Sequence, residues 1–184
     1  MLESLKLPFA FDPDLLKADL RAALAFEWRS HFNREYYSGD WSGIALRMTE
    51  GARHPLYSDP TVDKFVETPV LDLCPYLRSV METFQCTFRA VRLLRLGAGA
   101  FIKEHRDYGL GFKEGILRVH VPIETNPDVH FILAGRRIEL AEGEAWYLNL
   151  DLPHSVENRG ATDRIHLVLD CCANDWWRGL LGID

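Results

Sequence analysis

The chain has 184 residues, a length that predicts one domain with a sizeable core. Hydrophobic residues make up 47% and charged residues 26%, as in globular proteins, which argues against disorder and low-complexity architecture. Its 27 acidic side chains outnumber 21 basic ones, and the formal net charge of −6 disfavours a nucleic-acid partner, because binding to phosphates requires clustered cations.

The N-terminal residues lack the organisation of an export signal. Lys6 and Pro8 interrupt the apolar stretch from Met1 to Phe11, and no basic segment precedes it. No run of about 18 apolar residues occurs, so no membrane-spanning helix is expected. The four cysteines form no CxxC pair and are interpreted as reduced, mostly buried thiols. We therefore expect a cytoplasmic protein without a membrane partner.

The N-terminal part, residues 1–86, is predicted to be helical and rich in loops. One helix is expected to start after Asp12, with Pro13 as its first residue, and another at Pro75, because apolar residues recur at helical spacing after both. Between Ser38 and Pro60, a strand from Trp41 to Arg47 is expected among long loops that close over the site.

From Thr87 onward, short strand-like runs alternate with turn residues. The predicted strands are Phe88 to Leu96, Ala100 to Glu104, Leu117 to Ile123, His130 to Ala134, Arg137 to Leu140, Ala145 to Leu150 and Ile165 to Cys171. Short strands at these intervals predict a mainly β fold, a barrel or two-sheet jelly roll. We expect residues 87–173 to form its core within a single domain over residues 1–184, and Asn174 to Leu181 to form a final helix.

His105-Arg106-Asp107 is the most informative segment for chemistry. If strand geometry persists from the preceding run, the side chains of His105 and Asp107 point to the same side and can share a metal ion. His154 follows the predicted strand that ends at Leu150, and it could complete a facial triad of two histidines and one carboxylate. A short motif alone is weak, so the combination carries the prediction.

Two further positions suggest binding of anions. Arg164 begins a predicted strand, and an arginine inside a barrel is costly unless it meets an anion such as a dicarboxylate cosubstrate. Arg118 and His120 share one face of their strand while apolar residues occupy the other, so their face is expected to look into a pocket. Near the mouth of this pocket, Arg118, Arg106 or Tyr108 could bind a carboxylate of the substrate.

The order of these segments, from Arg92 to Asp170, resembles the aspartyl/asparaginyl β-hydroxylase family of Fe(II)- and 2-oxoglutarate-dependent oxygenases, and is similar to bacterial proline cis-hydroxylases. The matching text is Arg92-Leu93-Leu94-Arg95-Leu96, His105-Arg106-Asp107, Leu117-Arg118-Val119-His120-Val121-Pro122-Ile123, Gly143-Glu144-Ala145-Trp146, His154-Ser155-Val156-Glu157-Asn158 and Asp163-Arg164-Ile165-His166-Leu167-Val168-Leu169-Asp170. It covers a little under half of the chain.

The resemblance implies a double-stranded β-helix, a cupin-like jelly roll, with flanking N-terminal helices. By matching position, His105, Asp107 and His154 would bind Fe(II), and Arg164 would pair with the distal carboxylate of 2-oxoglutarate. Arg118 and His120 would line the cosubstrate or substrate end. Animal aspartyl hydroxylases of this family lack the carboxylate ligand, so the presence of Asp107 places this chain nearer the bacterial branch.

The implied activity is that of a dioxygenase. With Fe(II), 2-oxoglutarate and O₂, it would hydroxylate an unactivated C–H bond of a small amino-acid-like or peptide substrate and release succinate and carbon dioxide. The alternative is a non-catalytic metal-binding jelly roll or sensor. A zinc hydrolase is disfavoured because the sequence contains no HExxH motif. The other histidines and the tryptophans Trp146, Trp176 and Trp177 are interpreted as structural. These histidines are His31, His54, His130 and His166.

Overall fold

The computed structural model describes residues 2–58 and 61–183. Within them the chain forms the strands β1 (Ser4–Ala10), β2 (Arg29–Ser30), β3 (Tyr37–Ser38), β4 (Trp41–Thr49), β5 (Phe65–Glu67), β6 (Phe88–Leu96), β7 (Phe101–His105), β8 (Ile116–Glu124), β9 (Val129–Leu133), β10 (Arg136–Ile138), β11 (Glu144–Leu148), β12 (His154–Asn158) and β13 (Arg164–Cys172). The α-helices are α1 (Pro13–Ala23), α2 (Pro69–Asp72), α3 (Pro75–Glu82) and α4 (Asp175–Leu181), with short 3₁₀ turns at Arg34–Tyr36 and Phe112–Glu114.

The strands form two antiparallel sheets. The larger has the order β1-β11-β8-β13-β6-β4-β2, with β5 beside β4, and the smaller has the order β10-β9-β12-β7-β3. Consecutive strands alternate between the sheets through β7, β8 and β9, and again through β11, β12 and β13. This is the mainly β, double-stranded β-helix architecture that the sequence predicts, and the prediction is confirmed.

Two apolar clusters hold these layers together. One face of β8, formed by Leu117, Val119, Val121 and Ile123, is fully buried in a cluster that also contains residues of α1, α3 and α4. A smaller cluster joins strands of the two sheets and includes Ile102, Phe131 and Val156. Because strand side chains alternate, the other face of β8 points its polar residues between the sheets.

The helix starts follow from local chemistry and were predicted. The side chain of Asp12 accepts hydrogen bonds from the backbone nitrogens of Asp14 at 2.9 Å and Leu15 at 3.3 Å, and Pro13 is the first residue of α1. Such a cap contributes about 1 kcal/mol to helix stability. Proline likewise opens α3, at Pro75. None of the helices in the described ranges is long and apolar enough to cross a bilayer.

The N-terminal 86 residues also supply strands that the sequence analysis did not predict. β1 contains Lys6 and Pro8, which argue against a central strand, but it lies at the edge of the larger sheet, where a missing N–H is tolerated. Residues 1–86 therefore contribute β1 to β5, and β4 extends the predicted strand to Thr49. The end of the predicted loop region, Pro60, lies outside the described residues.

Candidate metal centre and its two cavities

The smaller sheet brings two distant histidines together. His105 is the last residue of β7, His154 is the first residue of β12, and the antiparallel pairing places them directly opposite each other. Their ring centroids are 4.2 Å apart. β12 is not among the predicted strands, because its residues His154 to Asn158 are mostly polar. Its alternating burial, with His154, Val156 and Asn158 inward, is the pattern of a half-buried strand.

Asp107 joins this pair by a route other than the one predicted. β7 ends at His105, so strand geometry does not extend to Asp107. Instead, the Asp107 backbone N–H donates to the Leu150 carbonyl at 2.9 Å, which fixes the backbone beside the loop that leads to His154. Asp107 Oδ1 lies 3.6 Å from His105 Nε2. One ligand atom from each of His105, Asp107 and His154 lies within 4.8 Å of the others.

Backbone carbonyls orient both imidazoles. His105 Nδ1 lies 2.8 Å from the Lys103 carbonyl, and His154 Nδ1 lies 3.0 Å from the Leu152 carbonyl. Because a carbonyl only accepts, each Nδ1 carries the proton and each Nε2 keeps a lone pair for a metal. Burial lowers the pKa of His154 to about 4, so this imidazole is neutral at neutral pH. The donor set fits a ferrous ion, for which two imidazoles and a carboxylate are a characteristic ligand set.

A cavity of about 710 Å³ adjoins the cluster. Its walls include His31 and Trp41, whose rings stack with centroids 3.5 Å apart. Burial lowers the pKa of His31 to about 3, so the stack is uncharged at neutral pH. Arg106 and Tyr108 also line this cavity: Arg106 Nη1 donates to the Asp151 carbonyl at 3.1 Å, and Tyr108 is 83% exposed.

Loop residues from the segment that was expected to close over the site contribute to this cavity. Leu56, Tyr57 and Ser58 line it, beside Tyr36 and the His31–Trp41 pair. The sequence alone predicts a structural role for His31, because no partner motif marks it, and the position of His31 follows only from the pairing of β2 with β4.

Arg118 lies in the wall of the same cavity, but its guanidinium is already paired. Nη1 donates to Asp107 Oδ2 at 2.5 Å, and Nε donates to Asp170 Oδ1 at 2.7 Å. Asp170, on β13, also accepts from Arg92 Nη1 at 3.0 Å. Neither Arg92 nor Asp170 was predicted as a site residue, although an ionisable side chain in an otherwise apolar strand is a signal for such a pair.

Arg164 lies in a second cavity, of about 380 Å³, on the other side of β12 from β7. It points inward, with 3% of its surface exposed, and Nη2 donates to His166 Nδ1 at 2.9 Å. Its Nε has no hydrogen-bond partner among the described residues. Burial lowers the pKa of Arg164 to about 9, and a guanidinium left in this state favours an anionic partner.

His120 and His166 extend this polar cluster. Because Arg164 donates to His166 Nδ1, that nitrogen is an acceptor, and His120 Nδ1 lies 3.2 Å from it. Burial, and next Arg164, lower the pKa of both imidazoles well below the usual value. The sequence predicts a structural role for His166, although period-2 alternation along β13 places it on the same face as Arg164.

The fold and these side chains define a class: a double-stranded β-helix that brings two imidazoles and a carboxylate together at one place, with a buried arginine in an adjoining cavity. The chain belongs to the aspartyl/asparaginyl beta-hydroxylase family, whose sequence profile matches residues 13–174. The resemblance noted in the sequence is thereby confirmed.

Comparison with known proteins agrees with this assignment. The chain is 30% identical over 162 residues to an L-proline cis-4-hydroxylase of Rhizobium meliloti (strain 1021), covering 87% of this chain and 57% of that protein. It therefore spans little more than half the length of this curated relative.

Solved structures show the same fold. An oxidoreductase of the 2OG-Fe(II) oxygenase family from Burkholderia pseudomallei has a TM-score of 0.63 at 16% identity, covering 93% of this chain and 88% of that chain. A Pseudomonas putida prolyl-4-hydroxylase has a TM-score of 0.58 at 14% identity, covering 93% of this chain and 92% of that chain. At these identities the similarity establishes the architecture.

Proposed function

We propose that this protein is an Fe(II)- and 2-oxoglutarate-dependent dioxygenase that hydroxylates an unactivated C–H bond of an amino acid or amino-acid residue. The observation that carries the proposal is the convergence of His105, Asp107 and His154, with both histidine Nε2 atoms left without a proton. In this proposal these three side chains hold Fe(II) and leave half of an octahedral coordination sphere open.

Arg164 is our candidate for the residue that binds the distal carboxylate of 2-oxoglutarate. It is buried, its Nε lacks a partner among the described residues, and a guanidinium fork matches a carboxylate in shape and charge. Phe131 lies between the two parts of the proposed site, since its ring stacks on His154 and faces the Arg164 guanidinium. His120 lies edge-on to the same Phe131 ring, with 5.9 Å between the ring centroids.

When bound, iron, 2-oxoglutarate and O₂ supply the oxidising chemistry, with succinate and carbon dioxide as co-products. The task of the protein is to hold one substrate carbon within reach and to exclude water. The stacked rings of His31 and Trp41 provide a flat, uncharged wall for that purpose. No side chain is required as a nucleophile or a general base.

We propose a proline-like amino acid, free or within a peptide, as the substrate. Support comes from the proline hydroxylase relative and from the aromatic wall, which suits a compact apolar ring. Arg106 and Tyr108 at the cavity mouth are candidates for binding its polar groups. Arg118 lines the same cavity, but its contacts with Asp107 and Asp170 leave it less free for a substrate carboxylate.

The environment of the protein is part of the same proposal. All four cysteines are free thiols in the structure, which suits the reducing cytoplasm. The acidic net charge argues against nucleic acid as a partner, as the sequence indicates.

The test is product formation by the full chain. We expect protein supplied with Fe(II), 2-oxoglutarate and air to add one oxygen atom to a member of a panel of L-proline, other free amino acids and prolyl peptides, detected by mass. Succinate should form in equal amount. His154→Ala is the matched control and should give neither product. Metal binding without succinate or an oxygenated product on any substrate would favour the non-catalytic metal-binding module.

A further inference from the structure

A line of alternating charges runs from the middle of the larger sheet to the candidate metal centre. Arg92 donates to Asp170 Oδ2 at 3.0 Å, and Arg118 donates to the same carboxylate from Nε at 2.7 Å and from Nη2 at 3.2 Å. The third guanidinium nitrogen, Arg118 Nη1, donates to Asp107 Oδ2 at 2.5 Å. Every charge along this line therefore has an opposite charge as its neighbour.

Asp170 is the most rigidly held of these charged residues. It lies on β13, which is hydrogen-bonded to β8 on one side and β6 on the other, and it pairs directly with Arg118 in the β8 register. Burial alone would raise the pKa of Asp170, but Arg118 and Arg92 outweigh it and hold the pKa below its usual value. The carboxylate is therefore ionised and rigidly placed.

Asp107 is different, because it lies beyond the end of β7 on irregular backbone, with 29% of its side chain exposed. A short side chain on such a segment can rotate about χ1 and χ2, and it needs a contact to fix one orientation. Arg118 donates to Asp107 Oδ2, so that Asp107 Oδ1 points toward His105 Nε2, 3.6 Å away. The carboxylate thus presents one oxygen to the triad.

We propose that Asp170 is a positioning residue of the metal centre, which acts through Arg118 to make Asp107 offer a single oxygen to the metal. The inference rests on the proposed function, in which Asp107 is a ligand. A purely stabilising role explains the arrangement less well, because the desolvation of buried ion pairs offsets most of their attraction. Partners of metal ligands commonly change metal affinity by about 10- to 100-fold when they are altered.

Substitutions that conserve charge change the placement of these groups but keep the long-range attraction between the metal and the carboxylates, so any effect on metal binding comes from geometry. Asp170→Glu keeps the negative charge but displaces the oxygens, and Arg118→Lys keeps the positive charge but loses the fork that bridges two carboxylates. The matched control is Asp19→Glu, at a buried carboxylate between α1 and α3 that accepts from the Leu77 backbone nitrogen at 2.8 Å. Co(II) is the probe, since its visible spectrum reports both affinity and coordination geometry.

We expect Co(II) affinity to fall by about 10-fold or more and the Co(II) spectrum to change in both site variants. Asp19→Glu should keep the wild-type affinity and spectrum. In the double variant the effects should not add, because both substitutions break the same contact. Wild-type affinity and spectrum in folded Asp170→Glu, or fully additive effects, would overturn the proposal. If Asp170→Glu does not fold, Arg118→Lys decides: wild-type Co(II) binding overturns the proposal, and weakened binding supports it.

Failure of the proposed function would look different. In that case wild-type protein itself would not bind Co(II), or His105→Ala would bind it equally well, and the positioning role would fall with the metal site. Wild-type binding that depends on His105 but ignores Asp170 and Arg118 would overturn the positioning role alone.

Discussion

The Phe131 ring stacks nearly parallel on the His154 imidazole, with 6.4 Å between their centroids and 7° between their planes. On the same ring, the Arg164 guanidinium carbon lies 5.9 Å from the centroid. Phe131 therefore connects the proposed metal ligand on β12 with the proposed cosubstrate residue on β13. It is 2% exposed and belongs to the cluster that joins the two sheets.

Phe131→Ala is expected to lower the free energy of unfolding by about 3–5 kcal/mol, because it leaves a cavity between the sheets. Phe101→Ala is the matched control, at a phenylalanine of the same sheet that is 39% exposed, and it should cost about 1 kcal/mol or less. Urea unfolding followed by tryptophan fluorescence measures both. Equal losses in the two variants would show that Phe131 is not a packing centre.

Single substitutions test the proposed metal ligands. His105→Ala and His154→Ala are each expected to weaken Co(II) or Fe(II) binding by at least about 100-fold, since a site with one histidine and one carboxylate has lost a third of its ligands. His130→Ala, at another histidine of the same sheet, should bind the metal as wild type does. Isothermal titration under anaerobic conditions gives the affinities. Tight binding in His154→Ala would remove this residue from the proposed ligand set.

The proposed cosubstrate residue gives a second binding test. Arg164→Met should weaken 2-oxoglutarate binding by roughly 30-fold or more, because truncating one side of a buried charge pair costs about 2–5 kcal/mol. Arg164→Lys should bind with intermediate affinity, since it keeps the charge and loses the fork. The control is Arg137→Met, which lines the same cavity but donates to the Pro127 and Val129 carbonyls. Unchanged affinity in Arg164→Met would contradict the assignment.

Elements of the fold that depend on neighbouring residues can be predicted from the sequence, whereas elements that depend on residues far apart in the chain cannot. The starts of α1 and α3 and the β6 strand could be predicted because caps, prolines and periodicity act over a few residues. β1 and β12 could not be predicted in this way. β1 contains Pro8, which is tolerated only because the strand lies at the edge of its sheet. β12 is mostly polar and is stabilised by pairing with both of its neighbours, β7 and β9.

The same distinction applies to the site. The spacing of His105 and Asp107 marks them as a pair within one segment, whereas the placement of His154 opposite His105 depends on strand register. Ion pairs such as Arg92 with Asp170 join residues far apart in the chain, so an arginine in an apolar strand indicates a partner without identifying it. The contact of Arg118 with Asp107 likewise depends on how β8 lies beside the end of β7, which no local pattern encodes.

Stability should fall in mild acid because His120 and His166 are buried in their neutral forms. Their folded pKa values lie well below the unfolded value of about 6.5, so below that pH only the unfolded chain takes up protons there. Each residue then removes about 1.4 kcal/mol of stability per pH unit, and above pH 6.5 this loss is absent. Urea unfolding of metal-free protein between pH 7.5 and 5 measures the slope. His166→Gln should have a shallower slope, and an unchanged slope would contradict the assignment.

In the proposed enzyme, the triad and Arg164 together support oxidation driven by 2-oxoglutarate. The most direct measurement is succinate formed from 2-oxoglutarate in air, with and without Fe(II), by wild type and by folded His154→Ala and Arg164→Met. We expect wild type to form succinate that depends on iron, and both variants to form no more than the metal-free background. Succinate that forms equally in wild type and His154→Ala, or that is absent from iron-loaded wild type with every substrate of the panel, would contradict it.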